Sequence, residues 1–537
     1  MTTSEEARLL EARTLVDELL DLQADVHAAS DTGLLETHIS WVLLAGDYAY
    51  KIKKPLNLGF LDFRELERRR HFCKEELRLN RQWAPSLYLD VVPITRHHGR
   101  ARFGGDGTVL EYAVRMRRFD QDQLLDAQLA AQRLTIDDLR DLAGRVAGWH
   151  AAARPTPATR RAQTLRRTSE LIIENFAPIE QALTGAARSA DAEVSRDTAE
   201  AITGLRAWTD QQIESLPDTF AARFDNGDYR ECHGDLHLRN LVRLADGITA
   251  FDCIEFDPQL RDIDVVADYA FLLMDLVARN QTRLAWAFFN RYLEVSGDYD
   301  GVRVYNLYFV YRCLVRAKIA VFRAAERRQR EERLADFDKA QRYIDIALRQ
   351  CAPRTPVLIA LHGLTGAGKS YVAERIMTAL PALRVRSDLE RKRIGGLAET
   401  ASSGSSIGTD LYDRATSDRV YRRLFDVAQT MLGAGHDVIL DAAFLERGRR
   451  DDARALAGRC NARFVLLDVT AGEEQLRQRV ARRQALGDDA SEAGLQVLEH
   501  QLTHQEALAE HERETLLSCR SDGLDVARLV NRLRATQ

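Results

Sequence analysis

Lysine is scarce in this chain, and its distribution marks two short stretches. Of 76 basic residues only eight are lysines, and three of them are Lys51, Lys53 and Lys54. Another, Lys369, lies in a glycine-rich loop. Arginine replaces lysine on most solvated faces, whereas a compact, flexible ammonium is harder to replace where it must reach a phosphate in a narrow site. Both stretches are therefore candidate phosphate-binding segments.

Other absences exclude whole classes of protein. The seven cysteines form no CxxC pair, which argues against a disulfide framework or a cysteine zinc site and fits a reducing cytoplasm. No apolar run approaches the roughly 20 residues of a membrane helix, and the acidic N-terminus is typical of an amphipathic helix rather than a secretory signal. The net charge of -5 gives no basic field for nucleic acid. We therefore expect a cytoplasmic protein without a membrane or nucleic-acid partner.

The length of 537 residues exceeds a single hydrophobic core and predicts several domains. The stretch CAPRTP at 351–356 holds two prolines, ends a long helical pattern and predicts a domain boundary. SSGSS at 402–406 is the best candidate for a mobile loop. We predict a first domain over 1–350, with an N-terminal helix about 1–35, a small lobe about 36–118 and a helical large lobe about 119–350, and a second domain over 357–537.

The second domain alternates short apolar runs, such as VLIALHG and RFVLLDV, with helical segments. This pattern predicts an α/β fold with a buried parallel sheet. Between the first run and a helix lies GLTGAGKS, which matches the P-loop pattern G-x-x-x-x-G-K-S. Its glycines, Gly363, Gly366 and Gly368, let backbone N–H groups surround a phosphate. Lys369 would reach the β- and γ-phosphates of ATP, and Ser370 would ligate Mg²⁺.

Further charged residues follow the strands of this domain. Asp388 and Arg391 come just after one strand, and Asp441 ends another, where an acid would hold the Mg²⁺ shell. Because strand carboxyl ends face the ligand crevice, we expect these residues to converge with Lys369. A later helix carries arginines that could neutralise a transferring phosphoryl group or simply form a basic helix face: Arg479, Arg482 and Arg483.

Residues 357–537 resemble the P-loop group of small-molecule kinases, which includes gluconate-kinase-like, polynucleotide-kinase-like and zeta-toxin-like proteins. The stretches GLTGAGKS, SDLER and VILDAAF carry the resemblance. It implies that Asp388 activates or orients an acceptor hydroxyl, with Arg391 beside the phosphates.

The first domain carries a second constellation in CHGDLHLRNL. His233, Asp235 and Asn240 follow H-x-D-x-x-x-x-N, the spacing of kinase-type catalytic loops, in which the Asp orients the substrate hydroxyl and the Asn ligates Mg²⁺. The hairpin-like LVRLADGITAFD ends at Asp252, the expected second metal ligand. The alternative is a metal box of His233, Asp235 and His237, which the absence of a second histidine cluster nearby disfavours.

A kinase-type site also needs a strand lysine paired with a helix glutamate. YAYKIKKP supplies Lys51, and the next helix supplies Glu75 or Glu76. Lys53 points to the same face as Lys51, because side chains alternate along a strand. We take Lys51 and Glu75 as the pair and leave Lys53 and Glu76 open as alternatives.

Residues from about 35 to 345 resemble the aminoglycoside phosphotransferase and choline-kinase-like group. HGDLHLRN and FDCIEFDPQLRDIDVVADYA carry the resemblance, which implies an α+β bilobal, protein-kinase-like fold in which Asp268 braces the catalytic loop. One departure is that no G-x-G-x-x-G precedes Lys51. The whole chain resembles bacterial fusions of such a domain with a P-loop kinase.

These features predict an ATP- and Mg²⁺-dependent phosphotransferase that acts on small-molecule hydroxyls, with one site per domain. Two alternatives stay open. One domain could be a nucleotide-binding regulatory pseudokinase, with only the P-loop kinase turning over. The P-loop domain could instead act on a macromolecular or RNA-end partner. The motifs name no acceptor.

Overall fold

The computed structural model of the chain describes residues 3–24, 32–59, 61–187, 196–377, 379–397, 414–486 and 494–535. The loop predicted at SSGSS lies outside these ranges. The chain divides into two compact units: unit 1 is Met1–Asp138, Gly148–Ile172 and Phe220–Asp275, and unit 2 is Leu139–Ala147, Ile173–Thr219 and Leu276–Gln537. The boundary predicted at 351–356 lies inside unit 2 and stays a prediction.

Unit 1 begins with a helix and an antiparallel sheet. The elements are α1 (Thr3–Ala24), β1 (Thr32–Glu36), β2 (Ser40–Ala45), β3 (Tyr48–Lys53), α2 (Leu66–Trp83), β4 (Tyr88–His97), β5 (Arg100–Phe103) and β6 (Thr108–Arg117). The strand order is β1-β2-β3-β6-β4-β5. The helix predicted over 1–35 is wrong at its end, because Thr32–Glu36 pairs with β2 as a strand.

The two faces of this sheet bury different partners. On one face, Val16 and Leu19 of α1 pack with Trp41 and Ile52. On the other face, Ala49 of β3 joins a cluster that includes Cys73 of α2. Because side chains alternate along a strand, the lysines of β3 share the face of Ala49 and point towards α2.

The chain continues through helices and two short two-stranded sheets, β7-β10 and β8-β9. These are α3 (Leu125–Ala130), α4 (Ile136–Ala152), α5 (Arg161–Ile173), α6 (Phe176–Ala187), α7 (Arg196–Ser215), α8 (Pro217–Asp225), β7 (Tyr229–Glu231), β8 (Leu241–Leu244), β9 (Gly247–Ala250), β10 (Asp262–Asp264), α9 (Val265–Ala278), α10 (Thr282–Ser296), α11 (Val302–Glu326) and α12 (Arg330–Cys351). The stretch HGDLHLRN lies between β7 and β8, and Asp252 follows β9.

The remaining elements of unit 2 form an α/β layer structure. They are β11 (Val357–His362), α13 (Lys369–Met377), β12 (Ala382–Arg386), α14 (Ser387–Ile394), α15 (Arg414–Gly433), β13 (Asp437–Asp441), α16 (Arg447–Arg459), β14 (Arg463–Thr470), α17 (Glu473–Leu486), α18 (Leu495–His504), β15 (Leu516–Arg520) and α19 (Val526–Ala535). The sheet has the order β12-β13-β11-β14-β15, and every pairing is parallel. The predicted parallel sheet is confirmed.

The parallel sheet explains where the polar side chains gather. The P-loop connects the end of β11 to α13, and Asp388 and Asp441 lie at or just beyond the ends of β12 and β13. Since parallel strands all end at one edge, these residues share that edge. Within the described ranges, no helix is both long and apolar enough to cross a membrane.

Candidate active sites

The lysines of β3 meet one glutamate of α2. Lys51 Nζ donates to Glu76 Oε1 at 2.8 Å, and Lys53 Nζ donates to Glu76 Oε2 at 2.7 Å. Glu75 instead pairs with Arg78 at 2.9 Å, and its side chain is 25% exposed. The pairing expected of Glu75 is therefore wrong: one residue further along the helix, Glu76 faces the sheet, whereas Glu75 faces outward. Both alternatives left open by the sequence, Lys53 and Glu76, belong to the network.

The same two lysines also pair with the segment after β9. Lys51 binds Asp252 and Lys53 binds Glu255. Burial raises the pKa of Glu76, but the two lysines outweigh it and lower that pKa to about 2. Burial disfavours the charged ammonium groups, yet the carboxylates raise the pKa of both lysines. Burial raises the pKa of Glu255, although Lys53 opposes the shift. Glu76 and the two lysines are therefore charged, and the network ties β3, α2 and the segment after β9 together.

The candidate catalytic loop holds its aspartate by side-chain contacts. Asn240 Nδ2 donates to the Asp235 carboxylate at 2.9 Å and to its carbonyl oxygen at 3.0 Å. His237 Nε2 lies 3.3 Å from the same carboxylate. Because the amide nitrogen of Asn240 is used by Asp235, its oxygen is the atom that a cation can use. This is the arrangement expected for a base beside a metal ligand.

Asp268 stabilises the candidate catalytic loop through hydrogen bonds to its backbone. Its carboxylate accepts hydrogen bonds from the backbone N–H groups of His233 at 3.1 Å and Gly234 at 2.8 Å. His150 Nε2 lies 3.1 Å from the same carboxylate. Among the residues that the structure describes, His150, Cys232 and Asp268 form the one group close enough to share a metal. Burial raises the pKa of the Cys232 thiol, and Asp268 is already hydrogen-bonded, so the group suits a structural role.

Asp252 follows β9 with an unusual backbone. Its φ is 63°, in the left-handed region that a non-glycine residue rarely adopts. Its N–H donates to the Tyr88 hydroxyl at 3.1 Å, and its side chain remains 44% exposed. Such strain is typical of functional segments that the surrounding structure holds in place. Asp252 and Asn240 are thus the oxygen donors that could hold Mg²⁺ in unit 1.

The P-loop of unit 2 has the predicted glycine conformations. Gly363, Gly366 and Gly368 have φ of 139°, 79° and 92°, and a Cβ on Gly363 would collide with the carbonyl oxygen of Val469. Lys369 Nζ donates to the carbonyl oxygens of Gly363 and Leu364, each at 2.9 Å. Burial of this ammonium lowers the pKa of Lys369 to about 8, although nearby carboxylates oppose the shift.

A cavity of about 520 Å³ opens above the P-loop. Lys369, Ser370, Asp388, Arg391 and Asp441 all line it. The site therefore combines groups that can bind phosphate with two carboxylates, as predicted from the positions of Asp388 and Asp441 after their strands. Asp441 Oδ2 is buried and has no hydrogen-bond partner, and the Ser370 hydroxyl lines the same cavity. A buried, unsatisfied carboxylate oxygen near a hydroxyl fits Mg²⁺, which prefers oxygen ligands.

The arginines of α17 divide between the cavity and solvent. Arg479 lines the cavity and donates to Ser521 Oγ at 2.7 Å. Arg483 also lines it and donates to Thr365 Oγ1 at 3.1 Å. Arg482 is exposed and does not line the cavity. The position expected of Arg482 at the site is therefore wrong: Arg483, four residues after Arg479, lines the cavity in its place.

Several cavity residues escaped the sequence analysis. Tyr421, Glu446 and Gln501 line it, and Gln501 Oε1 accepts the Thr365 N–H at 2.7 Å across 136 residues of chain. None of them belongs to a short motif, so only the tertiary fold reveals them. In unit 1, the pairing of Glu255 with Lys53 likewise had no local sequence signal.

Comparisons with known proteins bear on both units. Residues 358–508 match the AAA domain family (AAA_33). A Mycobacterium tuberculosis protein, named as an uncharacterized protein, is 29% identical over 475 residues, which cover 88% of this chain and 91% of the relative.

Two solved structures are similar over different shares of the chain. A choline/ethanolamine kinase family protein from Mesorhizobium loti is 12% identical, with a TM-score of 0.34, and covers 63% of this chain and 98% of its own. A gluconokinase from Sinorhizobium meliloti is 20% identical, with a TM-score of 0.23, and covers 34% of this chain and 92% of its own. The structure itself shows a six-stranded antiparallel sheet in unit 1 and, in unit 2, a parallel sheet with a P-loop inside the matched residues 358–508.

Proposed function

We propose that each of the two sites transfers the γ-phosphoryl group of ATP to a hydroxyl of a small molecule. The observation that carries this proposal is the cavity of unit 2, which gathers Lys369, Ser370 and Asp441 with Asp388 and Arg391. The first three suit a nucleotide and its cation, Asp388 suits the acceptor hydroxyl, and Arg391 suits the phosphates. Phosphoryl transfer needs little more than such positioning and electrostatic stabilisation.

In unit 2, the P-loop N–H groups and Lys369 bind the phosphates. Asp388 orients the acceptor hydroxyl and takes its proton, while Arg479 and Arg483 balance the charge on the phosphoryl oxygens. Ser370 and Asp441 would hold Mg²⁺, which would supply positive charge to offset that of the phosphates.

In unit 1, Asp235 orients the acceptor hydroxyl and accepts its proton. Asn240 fixes Asp235 by one hydrogen bond to its carboxylate and one to its backbone carbonyl oxygen, and His237 lies beside the carboxylate. Lys51, anchored by Glu76, is available to the phosphates. Asn240 and Asp252 would hold Mg²⁺.

One observation favours a regulatory role for unit 1 as a second candidate. Lys51 is paired with Asp252, so a phosphate-binding group and a metal ligand neutralise each other. The turn between β1 and β2, residues 37–39, also has no glycine. In this reading unit 1 binds nucleotide without turnover, and unit 2 is the working kinase.

The experiment incubates the full-length protein with Mg²⁺ and isotope-labelled ATP in a small-molecule cell extract and identifies labelled products by mass spectrometry. Wild type runs beside Asp235→Asn and Asp388→Asn, which change charge but little volume. The proposal predicts two product sets, each lost in one variant. Products lost only in Asp388→Asn would support the regulatory candidate. Wild type without any small-molecule product would overturn the proposal.

A further inference from the structure

Helix α10 packs directly on the edge strand of the parallel sheet within unit 2. Asn290 Nδ2 donates to the Ala382 carbonyl oxygen at 3.0 Å, and the Arg384 N–H donates to Asn290 Oδ1 at 2.7 Å. One buried amide thus satisfies two backbone groups on the free edge of β12, as a neighbouring strand would. The register between α10 and β12 is therefore fixed by hydrogen bonds.

One turn further along α10, Glu294 reaches the side chain of Arg384. Arg384 Nη2 donates to Glu294 Oε1 at 2.7 Å, and both side chains are almost fully buried. Burial raises the pKa of Glu294, but Arg384, Arg386 and Arg291 outweigh it and lower that pKa below its usual value. The pair is therefore ionised.

The other end of Arg384 faces the proposed metal ligand. Arg384 Nη1 lies 3.9 Å from Asp441 Oδ2, beyond hydrogen-bond distance. That oxygen is buried and has no hydrogen-bond partner. Within the described chain, Glu294 and Asp441 are the carboxylates within 4 Å of Arg384. The guanidinium therefore lies between two acids and bonds only to Glu294.

We propose that Glu294 is a positioning residue for the metal site of unit 2: it holds Arg384 away from Asp441 and so keeps Asp441 Oδ2 open to a divalent cation. Without the Glu294 charge, Arg384 is a buried cation whose remaining near carboxylate is Asp441, and the two pair directly. The bound guanidinium then competes with the metal. The inference rests on the proposed function of unit 2 and assigns part of its metal site to a helix outside residues 358–508.

The test measures metal binding rather than turnover. The affinity of the protein for a fluorescent ADP analogue is measured at increasing Mn²⁺ concentrations. The quantity recorded is the Mn²⁺ concentration at which half of the increase in affinity is reached. All proteins carry Asp252→Asn, which removes the metal ligand of unit 1. We expect Glu294→Gln to raise that concentration about 10- to 100-fold, the usual effect of losing a group that orients a metal ligand. Arg384→Met should bind Mn²⁺ at least as tightly as the parent. In the double variant, Glu294→Gln with Arg384→Met, the half-maximal Mn²⁺ concentration should lie within about twofold of the parent's value.

Further variants separate the inference from its premise. Glu512 is the control, because it forms a similarly buried pair with Arg450 elsewhere in unit 2; Glu512→Gln should leave the Mn²⁺ dependence unchanged. If Asp441→Asn keeps the Mn²⁺ dependence, the metal site itself fails. If Asp441→Asn abolishes it but Glu294→Gln matches the parent, only the inference fails.

Two other results would also overturn the inference. An equal loss in Glu512→Gln would mean a general effect of breaking a buried pair. Weaker Mn²⁺ binding in Arg384→Met would mean that Arg384 helps to position Asp441 for the metal rather than competing with the metal for it. Weaker binding in Arg384→Met overturns the inference even if Glu294→Gln does not fold.

Discussion

Two adjacent glutamates of α2 offer the sharpest test of unit 1. Glu76 is fully buried and bridges Lys51 and Lys53, whereas Glu75 is 25% exposed and pairs with Arg78. Glu76→Gln and Glu75→Gln make the same chemical change one residue apart. The buried change leaves two lysine ammonium groups without their shared carboxylate, whereas the outer change weakens an exposed ion pair.

The magnitudes follow from burial. Leaving a buried charge uncompensated costs about 3–5 kcal/mol, and the cost here lies at the low end of that range because Asp252 and Glu255 still pair with the two lysines. Losing an exposed pair costs about 0–1 kcal/mol. We therefore expect Glu76→Gln to lower the free energy of local opening around β3 and α2 by several kcal/mol more than Glu75→Gln does.

Hydrogen–deuterium exchange of peptides covering β3 and α2 measures this difference directly. The comparison with peptides from unit 2 controls for global effects. The Glu76 contribution should also depend on pH: its pKa is lowered to about 2 in the folded chain, so its stabilisation is complete above the unfolded value of about 4.3 and is lost as the pH falls towards 2. Equal exchange in the two variants would refute the assignment of Glu76.

Other predictions concern unit 2. Burial lowers the pKa of Lys369 to about 8, so the free site loses its ammonium charge above that pH. Nucleotide affinity, measured by a binding titration, should therefore fall about tenfold for each pH unit above 8. The Lys369→Arg variant keeps its charge at every pH and should show no such fall. Arg483→Ala should lower kcat about 100-fold by removing a donor to the phosphoryl group, while Arg482→Ala, on the exposed face, should leave kcat unchanged; equal effects would contradict the placement of α17.

The P-loop was predictable because its function is local. GLTGAGKS fixes the backbone, the lysine and the hydroxyl within eight residues, and the flanking apolar run and helix confirm its setting. Asp388 and Asp441 were predictable for a related reason, since parallel strands end at one edge. The catalytic loop likewise places Asp235 and Asn240 through a short spacing.

The errors arise where one residue changes the face of a helix. Glu75 and Glu76 are about 100° apart around α2, as Arg482 and Arg483 are around α17, and composition does not fix that rotation. Strand β1 was read as the end of a helix because TGLLE has no alternation that distinguishes it. The Glu294–Arg384 pair joins residues 90 positions apart, so no local sequence spacing predicts it.

The central claim is that one chain carries two separate nucleotide sites, and binding stoichiometry tests it most directly. Equilibrium dialysis with a non-hydrolysable ATP analogue and Mg²⁺ should give about two nucleotides per chain, on the account of one site in each unit. Lys369→Ala and Lys51→Ala should each reduce the value by one, with the remaining affinity unchanged. A wild-type value of one, or the loss of all binding in either variant, would contradict the account.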